Sequence, residues 1–240
     1  MTVFMTSSPC VIGAERAILS PANGFIDMLK NALPPRPRAL FVCADPGNHG
    51  DTDAFARDIG AAIIEAGIAV SHSAVLDDRN AQEAQLLIWQ SDLIVLSGGH
   101  VPTQNLFFQQ IRLGKLLKNY QGTILGISAG SMNCARRAYA QPEEPGESRP
   151  DFRRFYPGLG LSEINILPHY QQVYDRMLDG KRLFEDVTYI DSIGESFLSL
   201  VDGSYVLEAD GETTLFGEAN AIVNGKFFHI SLPGDIVPLG

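Results

Sequence analysis

The sequence predicts an α/β fold in which a mainly parallel sheet carries helices on both faces, with a small antiparallel appendage towards the C-terminal end. Short continuous apolar runs alternate with stretches of helical spacing through the first half of the chain. Runs of this kind are buried on both faces, which favours parallel strands covered by helices. From about residue 189 onward, short β-rich runs with glycine between them predict the appendage.

Each predicted element has a local signal in the sequence. The predicted strands of the first half are 2–6, 38–43, 68–73, 93–96 and 123–127. Helices are expected from about 24 to 33, 52 to 66, 80 to 90 and 103 to 119, with Pro, Gly or capping residues at several of their ends. The appendage is predicted from the runs 189–193, 197–201, 204–207 and 213–216, and from a hairpin over 221–230.

Composition limits the classes of function. The chain has 240 residues, is 45% hydrophobic and shows no linker, so a single α/β domain over 1–240 is expected. Its net charge of -10 argues against nucleic acid or an anionic membrane as partner. A homodimer is a state that the sequence leaves open.

The cysteines and the first residues predict a cytoplasmic location. Cys10, Cys43 and Cys134 are far apart and form neither a metal-binding spacing nor a disulfide framework. The opening residues, MTVFMTSSP, lack the pattern of a signal peptide, and no apolar run is long enough to span a bilayer.

The segment TILGISAGSMNCARR, residues 123–137, contains the most informative motif. A β-branched run leads to Ser128 between Gly126 and Gly130, and helical spacing follows. Strand, glycine-flanked serine and helix form the pattern of a nucleophile elbow. A side chain on either glycine would collide with the neighbouring strand or helix, and the turn exposes the serine hydroxyl. The alternative is a tight turn whose serine only caps the helix.

A serine nucleophile needs a base and an orienting acid. His72 and His229 lie in predicted strands and are interpreted as structural, whereas His49 and His100 lie on loops at the carboxyl ends of strands. His169 follows an apolar run and a backbone-fixing proline. We place His169 slightly ahead of His100 as the base.

The acid is less clearly marked. Glu195, in IGESF, stands among apolar residues and could be drawn inward, with Asp191 and Asp202 as competitors. Asp202 precedes Gly203, a pair typical of a hairpin turn, and this interpretation lowers its rank.

Two N–H groups would stabilise an oxyanion. Ala129 follows the nucleophile, and Gly98-Gly99 ends the neighbouring predicted strand. Residues 139–157 are rich in Pro, Glu and Arg and are predicted to form a solvated loop, with a lid or specificity loop as the alternative.

Taken together, these segments resemble the peptidase E family of serine peptidases, which includes cyanophycinase. The resemblance is carried by residues 96–99 (LSGG) with Asn105 beyond them, 126–131 (GISAGS), 167–170 (LPHY) and, more loosely, 193–195 (IGE). Order and spacing agree from about residue 41 to residue 206.

The resemblance implies a class I glutamine amidotransferase-like, flavodoxin-like fold in which serine replaces the usual cysteine. It implies Ser128 as nucleophile, His169 as base and Glu195 as acid, with Gly99 and Ala129 as oxyanion donors. No metal or cofactor is implied. Family members cleave after aspartate, as in Asp-Xaa dipeptides, or act on the aspartate–arginine polymer cyanophycin.

Substrate contacts are assigned from position and charge. His100 stands where the family has asparagine after Gly-Gly, which puts aspartate specificity in question. His100, Asn105 and Arg153 are the predicted substrate-binding residues. Arg136, Arg137 and Arg154 are further candidates for pairing with a substrate carboxylate.

Two other functions are considered, and each agrees with fewer of these sequence features than a serine peptidase does. An α/β-hydrolase esterase would need His229 with Asp202 or Asp210, because that fold orders its triad as serine, acid, histidine. A non-catalytic binder of a small acidic metabolite would not need the serine, histidine and carboxylate together.

Overall fold

The computed structural model describes residues 1–239, and its strands and helices alternate through the first half as predicted. The strands are β1 Thr2–Thr6, β2 Arg38–Val42, β3 His72–Leu76, β4 Leu93–Leu96, β5 Thr123–Ile127, β6 Arg137–Tyr139, β7 Phe155–Pro157, β8 Asn165–Leu167, β9 Met177–Leu178, β10 Lys181–Arg182, β11 Ser196–Leu200, β12 Tyr205–Ala209, β13 Glu212–Phe216, β14 Ala219–Val223, β15 Lys226–Ser231 and β16 Ile236–Pro238.

The α-helices are short apart from α2. They are α1 Phe25–Asn31, α2 His49–Glu65, α3 Ala84–Trp89, α4 Val101–Gln110, α5 Leu113–Leu117, α6 Ala129–Met132, α7 Tyr170–Val173 and α8 Tyr189–Asp191. Two 3-10 turns, Ala22–Gly24 and Ala81–Glu83, and a π-helical segment, Leu183–Thr188, complete the elements. None of the helices within residues 1–239 combines the length and the hydropathy needed to cross a membrane.

The main sheet is parallel over most of its width. Within residues 1–239 its strand order is β16-β13-β12-β1-β5-β4-β2-β3. The strands β1, β5, β4, β2 and β3 run parallel to one another, whereas β12, β13 and β16 extend the sheet in antiparallel pairing beside β1. The predicted α/β class with a mainly parallel sheet is confirmed.

Helices cover both faces of the main sheet, as the continuous apolar strands require. In β4, Ile94 and Leu96 pack into a hydrophobic cluster that contains residues of α3, α4 and α5. Leu93 and Val95 point to the other face, into a cluster with residues of α1 and α2. Every residue of β4 and β5 is buried, so both strands lie at the centre of the layers.

The appendage is a second, four-stranded sheet of order β15-β14-β11-β8. Its pairing is antiparallel except between β11 and β8, which run parallel. Ile166 and Leu198 of this sheet join the cluster formed by one face of the main sheet. A single domain over 1–240 stays a prediction, and its last residue, Gly240, lies outside the described residues.

Several elements differ from the sequence prediction. The run 189–193, predicted as a strand of the appendage, is helical over α8, and the runs 204–207 and 213–216 form β12 and β13 of the main sheet.

Two boundaries also differ. The strand expected at 68–73 begins at His72, because Ile68 closes the end of α2 through a hydrogen bond from its N–H to the carbonyl of Ile63. The helix expected over 103–119 is divided into α4 and α5 at Arg112, whose φ is 57°.

Candidate active site

Ser128 lies on a sharp turn between β5 and α6. Its backbone has φ 51° and ψ -112°, a conformation rarely adopted by residues other than glycine. A Cβ on Gly126 would lie 2.9 Å from the backbone of Ser131, and one on Gly130 would lie 2.2 Å from the carbonyl oxygen of Leu96. The predicted need for glycine on both sides of Ser128 is therefore met, and the strand-to-helix turn is confirmed.

His169 stands against Ser128. It follows β8 by two residues and has φ 58° and ψ 33°, in the left-handed region. Its Nε2 lies 3.0 Å from Oγ of Ser128. With the ring proton on Nδ1, Nε2 accepts a hydrogen bond from the serine hydroxyl, which is the geometry required of a general base.

The third group is Asp202, which follows β11 by two residues. Because β8 and β11 are paired parallel strands, the residues beyond their carboxyl ends lie side by side. Oδ1 of Asp202 lies 2.7 Å from Nδ1 of His169, and the aspartate side chain is 1% exposed. The hydrogen-bonded chain therefore runs from Ser128 through His169 to Asp202.

Asp202 is held as a carboxylate by several donors. Burial alone would raise its pKa, but hydrogen bonds from His169, Ser7 and Gln172 and the charge of the imidazole outweigh burial and lower the pKa below its usual value. The side chains of Gln171 and Gln172 each donate to Oδ2 at 2.6 Å. An ionised Asp202 fixes the imidazole ring and favours its protonated form.

The assignment of Glu195 as the orienting acid needs correction. Glu195 precedes the first residue of β11, whereas Asp202 follows the last, so the two carboxylates lie at opposite ends of the strand. The five residues of β11 span about 16 Å at about 3.3 Å per residue, and this length separates the backbone of Glu195 from that of Asp202. The Glu195 carboxylate is paired with the guanidinium of Arg137.

The remaining acids and bases weighed from the sequence have other partners. Asp191 accepts from the hydroxyl of Tyr139 at 2.8 Å and from Nε of Arg154 at 2.9 Å. His229 lies on β15 with Nδ1 2.8 Å from Oδ1 of Asn220. Asp202 is bound to His169 instead, and among residues 1–239 neither Asp202 nor Asp210 is hydrogen-bonded to His229, so the pairing that an esterase of the α/β-hydrolase type would need is not formed.

The two predicted oxyanion donors lie beside the serine. Ala129 is the first residue of α6, so its N–H has no acceptor within the helix. Gly99 follows β4 with φ 151°, and a Cβ there would lie 2.5 Å from Cβ of Ala44, so only glycine fits. A Cβ on the preceding Gly98 would lie 3.5 Å from Cβ of Ser128. The donor role of Gly99 and Ala129 stays a prediction.

A cavity of about 330 Å³ opens beside Gly98 and Gly99. His100 lines it, and both ring nitrogens of His100 have partners: Nδ1 lies 2.8 Å from Oγ1 of Thr103, and Nε2 lies 2.9 Å from Oε1 of Glu147. His100 thus borders the site without contacting the Ser128 hydroxyl, so the alternative of His100 as base is not supported. Its role in binding substrate stays a prediction.

Asn105 and Arg153, predicted to bind substrate, are engaged elsewhere. Asn105 is 2% exposed, and its side-chain amide donates to Oδ1 of Asn133 at 2.8 Å and to the carbonyl of Pro157 at 2.9 Å. Arg153 stacks its guanidinium on the ring of Tyr156, 4.5 Å from the centroid, and donates to the carbonyl of Phe155. The buried Asn105 thus binds α4 to its neighbours, which corrects its assignment to the substrate, whereas the substrate role of the exposed Arg153 stays a prediction.

The other arginines considered from the sequence also have partners in the fold. Arg136 pairs with Glu163 at 3.0 Å and Arg154 with Asp191, whereas Arg137 holds Glu195. A role for any of these arginines in binding substrate stays a prediction.

The segment 139–157 is not the solvated loop that its composition predicts. Its ends lie in a β6–β7 hairpin, and Gln141, Glu147 and Ser148 are buried. Oε2 of Glu147 accepts from the N–H groups of Glu143 and Glu144, while Oε1 faces His100. Sequence reasoning missed these contacts because charged residues separated by prolines are usually exposed.

Fold and site together define a class of architecture. Ser128 follows β5 of the main sheet, while His169 and Asp202 follow parallel strands of the second sheet, so the carboxyl edges of the two sheets meet at the serine. A hydroxyl, an imidazole and a buried carboxylate in this order form the arrangement that activates serine in hydrolases.

Comparison with solved structures places the fold among peptidase structures. A peptidase from an acI-B1 Actinobacterium superposes with a TM-score of 0.67 at 14% identity, over 99% of this chain and 96% of that one. A Listeria monocytogenes EGD-e protein that is named as a candidate peptidase E superposes with a TM-score of 0.61 at 13% identity, over 96% and 98%. No family model matches the chain, and no curated protein matches it by sequence. The likeness shows the fold.

Proposed function

We propose that the protein is a serine peptidase that hydrolyses short peptides. The observation that carries the proposal is the chain of two hydrogen bonds, 3.0 Å from Ser128 to His169 and 2.7 Å from His169 to Asp202. Ser128 itself lies on a sharp turn and is half-buried. The peptidase names of the two structural neighbours support the same reaction class.

Each residue has a role in the proposed reaction. His169 accepts the proton of the Ser128 hydroxyl as the oxygen attacks the scissile carbonyl, and it then protonates the leaving amine. Water hydrolyses the acyl-enzyme with His169 again as base. Asp202 keeps the ring in position and stabilises its protonated form. The N–H groups of Gly99 and Ala129 donate hydrogen bonds to the carbonyl oxygen and stabilise the negative charge that develops on it.

The resemblance to peptidase E suggests Asp-Xaa dipeptides as substrates, and we propose these as the first class to test. A second class, peptides in which arginine accompanies aspartate, is favoured by one observation. Three acidic residues, Asp45, Asp51 and Glu144, are among those that line the cavity beside Gly99. Carboxylates attract a basic side chain and disfavour an acidic one.

The test is a panel of dipeptides and short peptides that vary the residue before the cut, including aspartate, asparagine, arginine and lysine. Release of the free amine is measured for the wild-type protein and for Ser128→Ala. Turnover that Ser128→Ala abolishes, in a variant with an unchanged far-UV spectrum, supports the proposal. Turnover that persists in Ser128→Ala contradicts it.

A further inference from the structure

Ser7, the first residue after β1, contacts two of the three groups in the proposed triad. Its hydroxyl donates to Oδ1 of Asp202 at 2.6 Å and accepts the backbone N–H of His169 at 2.6 Å. The residue is fully buried, so water does not compete for these bonds. One hydroxyl thus ties the loop after β8 to the turn after β11.

The same end of β1 also holds the serine. The N–H of Ser128 points to the carbonyl oxygens of Thr6 and Ser7, at 3.2 Å and 3.1 Å. β1 pairs in parallel with β5, which places Ser7 beside Ser128, and β12 pairs on its other side and begins just beyond Asp202. Ser7 therefore lies where the strands that carry the three groups converge.

Two of the residues that Ser7 contacts are strained. Ser128 and His169 both have positive φ, which is costly for residues other than glycine and persists only where surrounding contacts fix it. The Ser7 hydroxyl accepts a hydrogen bond from the backbone N–H of His169. The Ser7 carbonyl oxygen accepts one from the backbone N–H of Ser128. Both strained turns are thus anchored on one residue.

We propose that Ser7 is a positioning residue that keeps His169 and Asp202 aligned with Ser128. Its two roles are separable. By accepting the N–H of His169 it fixes the turn that directs the imidazole at the serine. By donating to Oδ1 of Asp202, the oxygen that also faces the imidazole, it neutralises part of the negative charge that acts on the ring. The inference rests on the proposed function, because it requires a reactive Ser128.

The test uses the full-length protein and a fluorophosphonate as the probe, so no substrate needs to be known. The rate constant for modification of Ser128 is measured from about pH 5 to about pH 9, the range in which an imidazole changes charge. We expect Ser7→Ala to react about tenfold more slowly at the plateau, the effect of losing one hydrogen bond to a charged group. The acid limb of the profile should move to higher pH, because Asp202 with one donor fewer stabilises the protonated imidazole more strongly.

Two further variants make the outcome decisive. Ser8→Ala is the matched control: its hydroxyl only accepts the N–H of Cys10, at 3.3 Å, and the rate should stay within about twofold of wild type. Ser7→Cys keeps the size of the side chain but donates weakly, so it should show the same shift even if Ser7→Ala does not fold.

A folded Ser7→Ala or Ser7→Cys protein with the wild-type rate and profile would overturn the inference. So would a slower rate with an unmoved acid limb, since a purely structural defect lowers the reactive fraction at every pH. If the wild-type protein itself does not react, the proposed function fails first and the inference falls with it. A reactive wild type with insensitive Ser7 variants overturns the inference alone.

Discussion

The carboxylate of Asp202 and the imidazole of His169 meet because each residue follows its strand by two positions and the two strands, β11 and β8, run side by side in parallel. Their alignment is thus set by the register of the second sheet, in which Ser199 pairs with Leu167. Ser128 comes from a different sheet. The proposed triad therefore depends on how the two sheets pack against each other. A change in the packing of either sheet should alter the reactivity of Ser128.

Asp202→Asn should abolish most of the activity, whereas Glu195→Gln should not. Asparagine can keep the volume but not the charge, and it favours the wrong ring tautomer, so we expect kcat to fall roughly a thousandfold or more. Glu195 lies at the far end of β11 and pairs with Arg137, so kcat of Glu195→Gln should change by less than about twofold. The reverse ranking in peptide hydrolysis would contradict the assignment of Asp202.

Gly130→Ala should destabilise the fold at the elbow. The added methyl group would lie 2.2 Å from the carbonyl oxygen of Leu96, a backbone atom that cannot move away cheaply. We expect a loss of about 2 kcal/mol or more in the free energy of unfolding by urea. Gly50→Ala, in α2 with nothing within 4 Å, is the control and should be neutral or stabilising. Equal effects of the two changes would show that the close approach at Gly130 is not a constraint.

Glu147→Gln should loosen the segment that borders the site. Oε2 of Glu147 accepts the N–H groups of Glu143 and Glu144, and a glutamine that keeps its oxygen towards His100 would place NH₂ against those donors. Hydrogen exchange of these two amides should accelerate about tenfold, as expected when such a bond is lost. The control is Glu144→Gln, whose side chain is exposed. Unchanged exchange in Glu147→Gln would mean that other contacts hold the segment.

Glu208→Gln should stabilise the protein at neutral pH. Burial, with the nearby charge of Glu163, raises the pKa of Glu208 above its usual value even though the Ser162 hydroxyl donates to it. Its folded-state pKa is raised, so its contribution to stability is present at low pH and is lost as the pH rises through that pKa. The melting temperature of Glu208→Gln should exceed that of wild type at pH 7 and converge with it below about pH 4.

The exposed Glu212 provides the matched control for this change, since Glu212→Gln should leave the melting temperature almost unchanged at both pH values. A stabilisation by Glu208→Gln that is as large at low pH as at pH 7 would contradict the role of ionisation.

The sequence was sufficient for the features that are local in the chain. The elbow at Ser128 combines a buried strand, two close-packed glycines and a helix within about ten residues, and every part of that pattern is visible without coordinates. Pro168 and the apolar run before it mark His169 as a candidate base in the sequence. The parallel first half followed from continuous apolar runs, since only burial on both faces explains them.

The acid was missed because its position depends on pairing that is not local. Asp202-Gly203 does form a turn, with Gly203 at φ 89°, so the interpretation as a turn was sound and yet incomplete. The turn joins the two sheets, and the parallel pairing of β8 with β11 brings it to His169. A carboxylate directly after the apolar run FLSLV was the available signal, since ligand-binding groups favour the carboxyl ends of strands.

The contacts of the Ser7 hydroxyl also depend on strand pairing that is not local in the sequence. It follows β1 directly, but nothing in residues 2–8 indicates that β1 lies between β5 and β12. Only that order brings the end of β1 to Ser128, His169 and Asp202 together.

Activation of Ser128 by His169 is tested by mass spectrometry of the protein after exposure to a fluorophosphonate, with the modified residue located in a digest. We expect one adduct, on Ser128, that forms in wild type and is lost or greatly slowed in His169→Ala. An unmodified Ser128 in the folded wild-type protein, or an adduct that forms equally fast in His169→Ala, would contradict it.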